Sequence, residues 1–243
     1  MGAPWTKDPD PTAHLRLICL PYAGGGTVEY RQWQPRVPTG VQVCPVVLPG
    51  RESRLSEAPL RDMDALVTAM LPAVAALTDR PYALFGHSMG AWVAFELARA
   101  LRRRGCPPPV RLFASGRRAP DVPDRLSPIH GLDDTAFLAA LQARYQAIPP
   151  QLLAQREILA LFLPALRADF ALIEGYLHRP EAPLAVPLEV WAGVDDALVT
   201  DADLDAWSAH STAPVRRVRL PGGHFYPREH RDATLAAVLE ALS

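Results

Sequence analysis

The sequence predicts an α/β fold in which helices cover both faces of a mostly parallel sheet. Two observations lead to this class: short apolar runs bounded by glycine or proline recur along the chain, and segments with helical spacing separate them. Six such runs are predicted as strands, at residues 15–20, 41–48, 82–85, 112–114, 188–192 and 215–220. Strands that alternate with helices are joined by crossover connections, so we expect them to run parallel.

The segments between these runs carry the predicted helices. Apolar residues recur at helical spacing over residues 63–77, 91–101, 204–209 and 234–242. Gly105 follows the second of these helices, at a position where a glycine cap is common.

Residues 120–183 interrupt the alternation because they contain no strand-like run. One helical face there carries Phe137, Leu138, Leu141 and Tyr145. Two further helices are expected over 152–163 and 165–177, separated by Pro164. We therefore expect one domain over residues 1–243, with a helical lid at about 120–183 and a disordered tail over 1–12. Prolines at 149–150 and across 180–187 could act as hinges of the lid, although plain covering helices are the alternative.

Composition excludes several classes of function. The 243 residues are 49% apolar and 21% charged, which suits a globular domain, and 25 basic against 26 acidic residues leave a net charge of −1. This balance argues against a nucleic-acid or membrane-surface partner. The three cysteines show no C-x-x-C spacing. No apolar stretch is long enough to span a membrane, and residues 1–12 contain no apolar core of a signal peptide. A cytoplasmic protein is the expectation.

Gly86-His87-Ser88-Met89-Gly90 is a G-x-S-x-G motif that lies between a predicted strand and a predicted helix. In that context the motif predicts a nucleophile elbow, the sharp turn that presents a serine above the sheet of an α/β-hydrolase fold. Ser88 is therefore the candidate nucleophile, and a simple tight turn is the alternative.

A serine nucleophile requires a histidine base and a carboxylate that orients the base. In this fold the three follow one another in the order serine, acid, histidine. His224 lies just after the last predicted strand, and Asp195 and Asp196 follow the strand before it. Spacing alone does not choose between the two aspartates.

The oxyanion of an acyl-transfer intermediate requires two backbone N–H donors. Met89, directly after the nucleophile, is one candidate, and the glycine-rich loop at residues 20–26 is expected to supply the other. A phosphate-binding role for that loop is disfavoured because the lysine of a P-loop is missing. No metal-ligand spacing occurs, and this chemistry requires no cofactor.

Five segments together resemble one family. They are residues 20–25 (LPYAGG), 48–54 (LPGRESR), 86–91 (GHSMGA), 163–170 (LPALRADF) and 222–225 (GGHF). The chain resembles type II thioesterases, the stand-alone editing enzymes of polyketide and nonribosomal peptide assembly lines. The resemblance implies that Ala23 provides the second oxyanion N–H and, through a G-x-x-D pattern, that Asp196 is the acid. Relatives often carry glycines before the proline pair of the lid, whereas residues 144–150 have none.

The resemblance also implies a function. The expected substrates are aberrant or stalled short acyl groups on the phosphopantetheine arm of acyl or peptidyl carrier proteins, hydrolysed through an acyl-Ser88 intermediate. Five lid residues are candidates for the lining of an acyl chamber: Phe137, Leu141, Tyr145, Phe162 and Phe170. Five arginines could form a docking surface for an acidic carrier, or could simply stabilise a helix C-terminus: Arg102, Arg103, Arg104, Arg117 and Arg118.

Three other functions are compatible with parts of the pattern. A general carboxylesterase would use the same serine, acid and histidine on free oxygen esters. A product-releasing thioesterase or an acyltransferase would share the acyl-serine intermediate. A non-catalytic binding protein on a hydrolase scaffold is disfavoured, because a binder would have no need for all three residues in order.

Overall fold

The computed structural model describes residues 4–145 and 155–243. Its centre is a six-stranded parallel sheet with the strand order β2-β1-β3-β4-β5-β6. The strands are β1 (Leu15–Leu20), β2 (Val41–Pro45), β3 (Tyr82–His87), β4 (Arg111–Ser115), β5 (Leu188–Gly193) and β6 (Val215–Leu220). All six predicted runs form strands and the fold class is confirmed. Strand β2 lies at the edge of the sheet and ends at Pro45, where a missing proline N–H is tolerated.

Eight α-helices are described around this sheet: α1 (Val28–Arg31), α2 (Met63–Ala75), α3 (Met89–Arg103), α4 (Asp134–Tyr145), α5 (Arg156–Gly175), α6 (Asp201–Asp205), α7 (Tyr226–Glu229) and α8 (Arg231–Leu242). Helix α3 ends at Arg103, and Gly105 lies just beyond it in the predicted capping position, with φ +75°. The N–H of Cys106 donates to the carbonyl of Leu101 and that of Gly105 to the carbonyl of Arg102, both at 3.0 Å. This pair of bonds is a Schellman cap.

The helices bury apolar side chains on both faces of the sheet. Helices α2 and α3 pack on one face, in the larger core cluster, and α8 packs on the other face together with Tyr30 and Trp33. A third cluster lies within the 120–183 segment and joins α4 to α5 through Phe137, Leu141 and Phe170. The lid segment therefore has a small core of its own above the carboxyl ends of the strands.

Helix α5 runs through Pro164, contrary to the expectation that this proline separates two helices. Proline removes one hydrogen bond, to the carbonyl of Ala160, and Ala160 is exposed, so water can reach that carbonyl. Leu159 before the proline and Phe170 after it pack into the same lid cluster. This shared packing holds both halves in one helix. The predicted helix start at 152 and the hinge at 149–150 lie outside the described residues.

Within the N-terminal segment, for which a disordered tail over residues 1–12 is expected, the described residues from 4 onward contact the rest of the chain. The carbonyl of Trp5 accepts the N–H of Val47 at 2.7 Å, and the Arg54 guanidinium lies 3.7 Å from the centre of the Trp5 ring. The N–H of Asp10 donates to the Gln42 side chain at 2.9 Å. The polar composition of the segment gave no indication of these contacts, among which the partly buried Trp5 packs against the larger core cluster.

Candidate active site

Ser88 lies at the turn between β3 and α3, with its backbone at φ +54° and ψ −116°. This left-handed conformation is strained for a residue with a side chain. A Cβ at Gly86 would lie 1.9 Å from the carbonyl oxygen of Gly90, and a Cβ at Gly90 would lie 2.3 Å from that of Leu20. Only glycine fits at both positions, so the motif produces the sharp turn that holds Ser88 above the sheet.

The structure brings Ser88, His224 and Asp196 into one hydrogen-bonded chain. His224 Nε2 lies 3.0 Å from Ser88 Oγ, and His224 Nδ1 lies 2.9 Å from Asp196 Oδ2. The other carboxylate oxygen of Asp196 accepts the N–H of Leu198 at 3.0 Å, and the Asp196 side chain is fully buried. Asp195 is exposed. The geometry thus pairs Asp196, and not Asp195, with the histidine.

The loops after β5 and β6 cross closely, and this crossing sets the distance between acid and histidine. The N–H of Val194 donates to Leu220 at 2.8 Å and that of Asp195 to Gly222 at 3.0 Å. A Cβ at Gly193 would lie 2.2 Å from the carbonyl oxygen of Gly222. The glycines in both loops permit this close approach. The sequence of either loop alone does not predict it.

Three buried side chains with polar groups, those of His87, Ser115 and Tyr226, contact one another next to the catalytic residues. His87 Nδ1 lies 2.8 Å from Ser115 Oγ, which in turn contacts the hydroxyl of Tyr226. Burial, with a smaller effect of His224, lowers the pKa of His87 well below its usual range. His87 is therefore neutral, so it places no second cation beside His224, whose ring centre is 5.2 Å away. No sequence pattern pointed to Ser115 or Tyr226, since they meet only across the sheet.

The candidate oxyanion donors lie on either side of the serine. The Met89 N–H belongs to the first residue of α3, where helix geometry leaves N–H groups without an intrahelical acceptor. Ala23 lies in the glycine-rich loop after β1 and lines the same cavity as Ser88. Within the described ranges, neither N–H donates to a protein group. Both remain available to a ligand oxygen.

Two of the segments that carry the family resemblance, residues 48–54 and 163–170, had no assigned role. Both contact the glycine-rich loop. Asp169, on α5, forms a bidentate ion pair with Arg51, and both side chains are buried. Asp169 Oδ2 also accepts the N–H of Gly24 at 2.7 Å, and Arg51 Nη1 donates to the carbonyl of Gly25 at 2.9 Å. Lid helix, arginine turn and glycine loop are thereby joined by one buried network.

Glu52, next to Arg51, binds Thr27, the residue directly after the glycine-rich loop. Its carboxylate accepts the N–H and the hydroxyl of Thr27, both at 2.6 Å. Its own backbone has φ +49°, an uncommon value for a residue other than glycine. A Cβ at Gly26 would lie 2.1 Å from Glu52 Oε1, which explains the third glycine of the run.

A cavity of about 400 Å³ opens beside Ser88 and His224. Leu141, Tyr145, Phe162 and Phe170 line it, together with residues 22–26 of the glycine loop. Phe137 does not: its side chain is fully buried behind Phe170, with ring centres 5.7 Å apart. Phe137 belongs to the apolar cluster between α4 and α5, whereas Leu141, one turn further along α4, also lines the cavity.

The arginines proposed as a docking surface are mostly engaged. Arg117 and Arg118 are largely buried, and their guanidinium groups lie 3.8 and 4.7 Å from the centre of the Trp92 ring. Arg118 also pairs with Asp124 at 2.8 Å. These two residues therefore cannot form part of a docking surface. A cluster of arginines in the sequence suggests a charged surface, but an arginine can be buried when it stacks on an aromatic ring, and the sequence does not show this.

The helix-end arginines are at the surface, but two of them are already paired. Arg102 and Arg103 both bind Glu181, at 2.9 and 2.5 Å. Arg104 is exposed. Of these three, only Arg104 is in no ion pair with a described residue, and its charge at a helix C-terminus also suits the helix dipole.

The arrangement can perform covalent acyl transfer. A serine hydroxyl within reach of a buried histidine–carboxylate pair, with free N–H groups beside it, is the geometry of a serine hydrolase. Among residues 4–145 and 155–243 no cluster of histidine, cysteine, aspartate or glutamate is arranged to hold a metal ion. In the same ranges no helix is long and apolar enough to cross a bilayer.

Comparison with known proteins agrees with this chemistry. A family model described as a thioesterase domain matches residues 15–242. RedJ, the thioesterase of the prodiginine biosynthetic pathway in Streptomyces coelicolor, is 40% identical, with a TM-score of 0.86 over 98% of this chain and 89% of that one. BorB, the type II thioesterase of the borrelidin biosynthetic cluster, is 36% identical, with a TM-score of 0.88 over 100% and 99%.

A curated relative carries a name of another kind. The protein named linear gramicidin dehydrogenase LgrE, from Brevibacillus parabrevis, is 38% identical over 98% of this chain and 92% of its own length. The activity in its name differs from that of RedJ and BorB, but the family model and both solved structures agree with one another. The chain belongs to the thioesterase family, in its type II branch, and is a thioester hydrolase of the α/β-hydrolase fold.

Proposed function

We propose that this enzyme removes aberrant or stalled short acyl groups from the phosphopantetheine arm of acyl or peptidyl carrier proteins. The observation that carries the proposal is the Ser88–His224–Asp196 chain at the mouth of a mainly apolar cavity. RedJ is a thioesterase of the prodiginine biosynthetic pathway and BorB is the type II thioesterase of the borrelidin biosynthetic cluster, which supports a role in a biosynthetic assembly line for this chain as well.

In the first half-reaction, Ser88 Oγ attacks the carbonyl carbon of the thioester while its proton passes to His224 Nε2. The N–H groups of Ala23 and Met89 stabilise the negative oxygen of the tetrahedral intermediate. Asp196 holds the imidazole in the tautomer that accepts this proton and stabilises the imidazolium that results. The carbon–sulfur bond then breaks, the arm leaves as a thiol with the proton from His224, and the acyl group stays on Ser88.

In the second half-reaction, His224 takes a proton from water, and the resulting hydroxide attacks the acyl-serine carbonyl. The same two N–H groups hold the oxyanion. The carbon–oxygen bond to Ser88 breaks, Ser88 regains its proton from His224, and the free acid departs. No redox step or additional co-reactant is needed beyond water.

The size of the chamber supports short acyl groups. Its volume of about 400 Å³ is near the lower end of the roughly 300–1,000 Å³ of small-molecule sites. Leu141, Phe162 and Phe170 give it an apolar wall suited to a small alkyl chain. A completed polyketide or peptide would have to leave most of its surface outside, so editing is favoured over product release.

The test compares three series with the same acyl groups, acetyl and propionyl, on a carrier protein, on a small thiol and on p-nitrophenol. The proposal predicts the highest kcat/KM for the carrier-bound thioester and the loss of that activity in Ser88→Ala. Equal or better rates on the p-nitrophenyl esters would instead assign a general carboxylesterase. Labelling of Ser88 by a fluorophosphonate separates either enzyme from a non-catalytic binding protein.

We further propose that the enzyme works in the cytoplasm. Its three cysteines are free, and Cys19 and Cys44 are buried in the core, as suits a reducing compartment.

A further inference from the structure

The acyl chamber has an exposed end and a buried end. Val28 on α1 and Phe162 on α5 line the chamber and are 61% and 50% exposed, whereas the lining residues Phe170 and Ile173 are 5% and 7% exposed. Ser88 also belongs to the buried part, with an exposure of 7%. A substrate therefore enters past Val28 and Phe162 and meets Ser88 further inside.

Arg228 lies at the exposed end of the same chamber. Its side chain is 42% exposed and lines the cavity together with Ser88 and His224. The short helix α7 carries it, four residues after His224. The fully buried Tyr226 anchors this helix, and the N–H of Arg228 donates to the carbonyl of Phe225 at 2.9 Å. These contacts fix the position of Arg228 relative to the catalytic histidine.

The other described lining residues that can be charged near neutral pH are already engaged. Arg51 forms the buried ion pair with Asp169. Glu52 accepts the N–H and the hydroxyl of Thr27. His224 belongs to the catalytic chain. The hydrogen bonds of these three side chains are thus used within the protein.

The guanidinium of Arg228 makes only weak contacts within the described ranges. A carboxylate oxygen of Glu229 is 3.8 Å from its Nη2 atom, beyond hydrogen-bond distance, and the centre of the Phe225 ring is 5.1 Å away. The side chain also contacts the hydroxyl of Tyr22, where burial raises the pKa of Tyr22 and the charge of Arg228 opposes that rise. Because a guanidinium has several N–H donors, these contacts leave some of them for a ligand.

The exposed end of the chamber is where the arm of a carrier-bound substrate must lie. A carrier protein is far too large for a cavity of about 400 Å³, so its thioester reaches Ser88 only on the arm. The acyl group takes the apolar interior, which leaves the exposed end to the sulfur side of the arm. Amide groups follow the sulfur along a phosphopantetheine arm, whereas the phosphate remains attached to the carrier outside. An amide carbonyl is a suitable acceptor for a guanidinium N–H.

We propose that Arg228 is a substrate-binding residue, which donates a hydrogen bond to an amide carbonyl of the arm while the thioester carbonyl lies at Ser88. The contact holds the arm at the exposed end of the chamber and directs the acyl group toward the buried end. The enzyme thereby recognises the arm as well as the acyl group. This inference rests on the proposed thioesterase function and adds a specificity-determining residue to it.

The experiment compares two propionyl thioesters, one of N-acetylcysteamine and one of pentane-1-thiol, which have similar length and differ in the amide. The measured quantity is the ratio of kcat/KM for the amide-containing thioester to kcat/KM for the alkyl thioester. In Arg228→Met, which keeps an apolar side chain and removes every donor, we expect this ratio to fall roughly 10-fold. Arg228→Lys, which restores a charged donor without the planar fork, is expected to lie between.

Arg231→Met is the matched control. Arg231 is three residues away, pairs with Glu29 at 3.2 Å and is not among the described residues that line the chamber. Its ratio should equal that of the wild type. An unchanged ratio in Arg228→Met, with both thioesters still hydrolysed, would overturn the arm contact and leave the thioesterase function intact.

A third substrate, propionyl-phosphopantetheine, separates the amides from the phosphate, which is the other strong acceptor of the arm. If Arg228→Met lost activity on this thioester and kept the wild-type ratio for the other two, Arg228 would bind the phosphate, and the amide assignment would be wrong. The proposed function itself fails by a different result. It would be overturned if the wild type hydrolysed p-nitrophenyl propionate as well as, or better than, the carrier-bound propionyl thioester.

Discussion

Asp169 on the lid helix and Arg51 on the turn after β2 form a buried bidentate ion pair, with N–O distances of 2.7 and 2.9 Å. The same carboxylate accepts the N–H of Gly24, the residue after the proposed oxyanion donor Ala23. A displacement of the lid helix at Asp169 would therefore move the glycine loop as well. These contacts connect helix α5 to the loop that carries the proposed oxyanion donor.

Asp169→Asn should weaken both the fold and catalysis. The change leaves Arg51 buried without its counterion, which typically costs about 3–5 kcal/mol in the free energy of unfolding. Loosening of the Gly24 contact should lower kcat by roughly 10-fold or more, because oxyanion donors act only when they are well placed. Chemical denaturation and steady-state kinetics measure the two effects.

The control for that variant is Asp134→Asn, in the neighbouring lid helix. Asp134 pairs with Arg167, but its side chain is 69% exposed, so the loss should stay within about 1 kcal/mol. If the two variants had equal stability and equal kcat, the buried pair would have no special role.

Asp196→Asn should reduce kcat/KM by roughly 10³- to 10⁴-fold, because the amide favours the wrong tautomer of His224. Asp195→Asn, one residue away and exposed, should retain nearly full activity. Both variants should fold, since the substitutions preserve shape. The kinetics of the pair, measured on one thioester, decide which aspartate orients the histidine, and a larger loss in Asp195→Asn would reverse the assignment.

Phe162 and Phe137 should respond differently to truncation. Phe162 lines the acyl chamber and is 50% exposed, whereas Phe137 is fully buried. Phe137→Ala should cost about 3–5 kcal/mol of stability through the cavity it leaves.

Phe162→Ala should cost much less and should change the preferred acyl length by widening the chamber. Thermal unfolding and a series of acetyl to octanoyl thioesters test both statements. If the acyl preference changed in Phe137→Ala and not in Phe162→Ala, Phe137 rather than Phe162 would line the acyl chamber.

Stability should fall on the acid side partly through His87. Its pKa is lowered in the folded protein by burial, so the unfolded chain binds an extra proton once the pH drops below about 6.5. The folded state loses stability from that pH downward, with a slope that approaches about 1.4 kcal/mol per pH unit, until the folded pKa is reached.

The free energy of unfolding at pH 7.5, 6.5 and 5.5 measures this slope. In His87→Gln, which cannot titrate, the decline between pH 6.5 and 5.5 should be smaller. Equal slopes in wild type and variant would show that other groups, such as His178, account for the acid sensitivity.

Local sequence patterns sufficed for the sheet and for two members of the candidate site. Glycine- and proline-bounded apolar runs marked all six strands, because buried parallel strands are short and continuously apolar. Ser88 was identifiable because its motif and the flanking strand and helix are adjacent in the chain. His224 was identifiable because it directly follows the last strand.

Tertiary structure alone decided the contacts between segments distant in the chain. The β5–β6 loop crossing brings Asp196 rather than Asp195 to His224, and packing behind Phe170 removes Phe137 from the chamber wall. Stacking on Trp92 turns Arg117 from an expected surface charge into a buried cation beside the site. Periodicity and spacing report which residues share a face, but the depth of a side chain depends on what packs against that face, and that is settled only when the whole chain has folded.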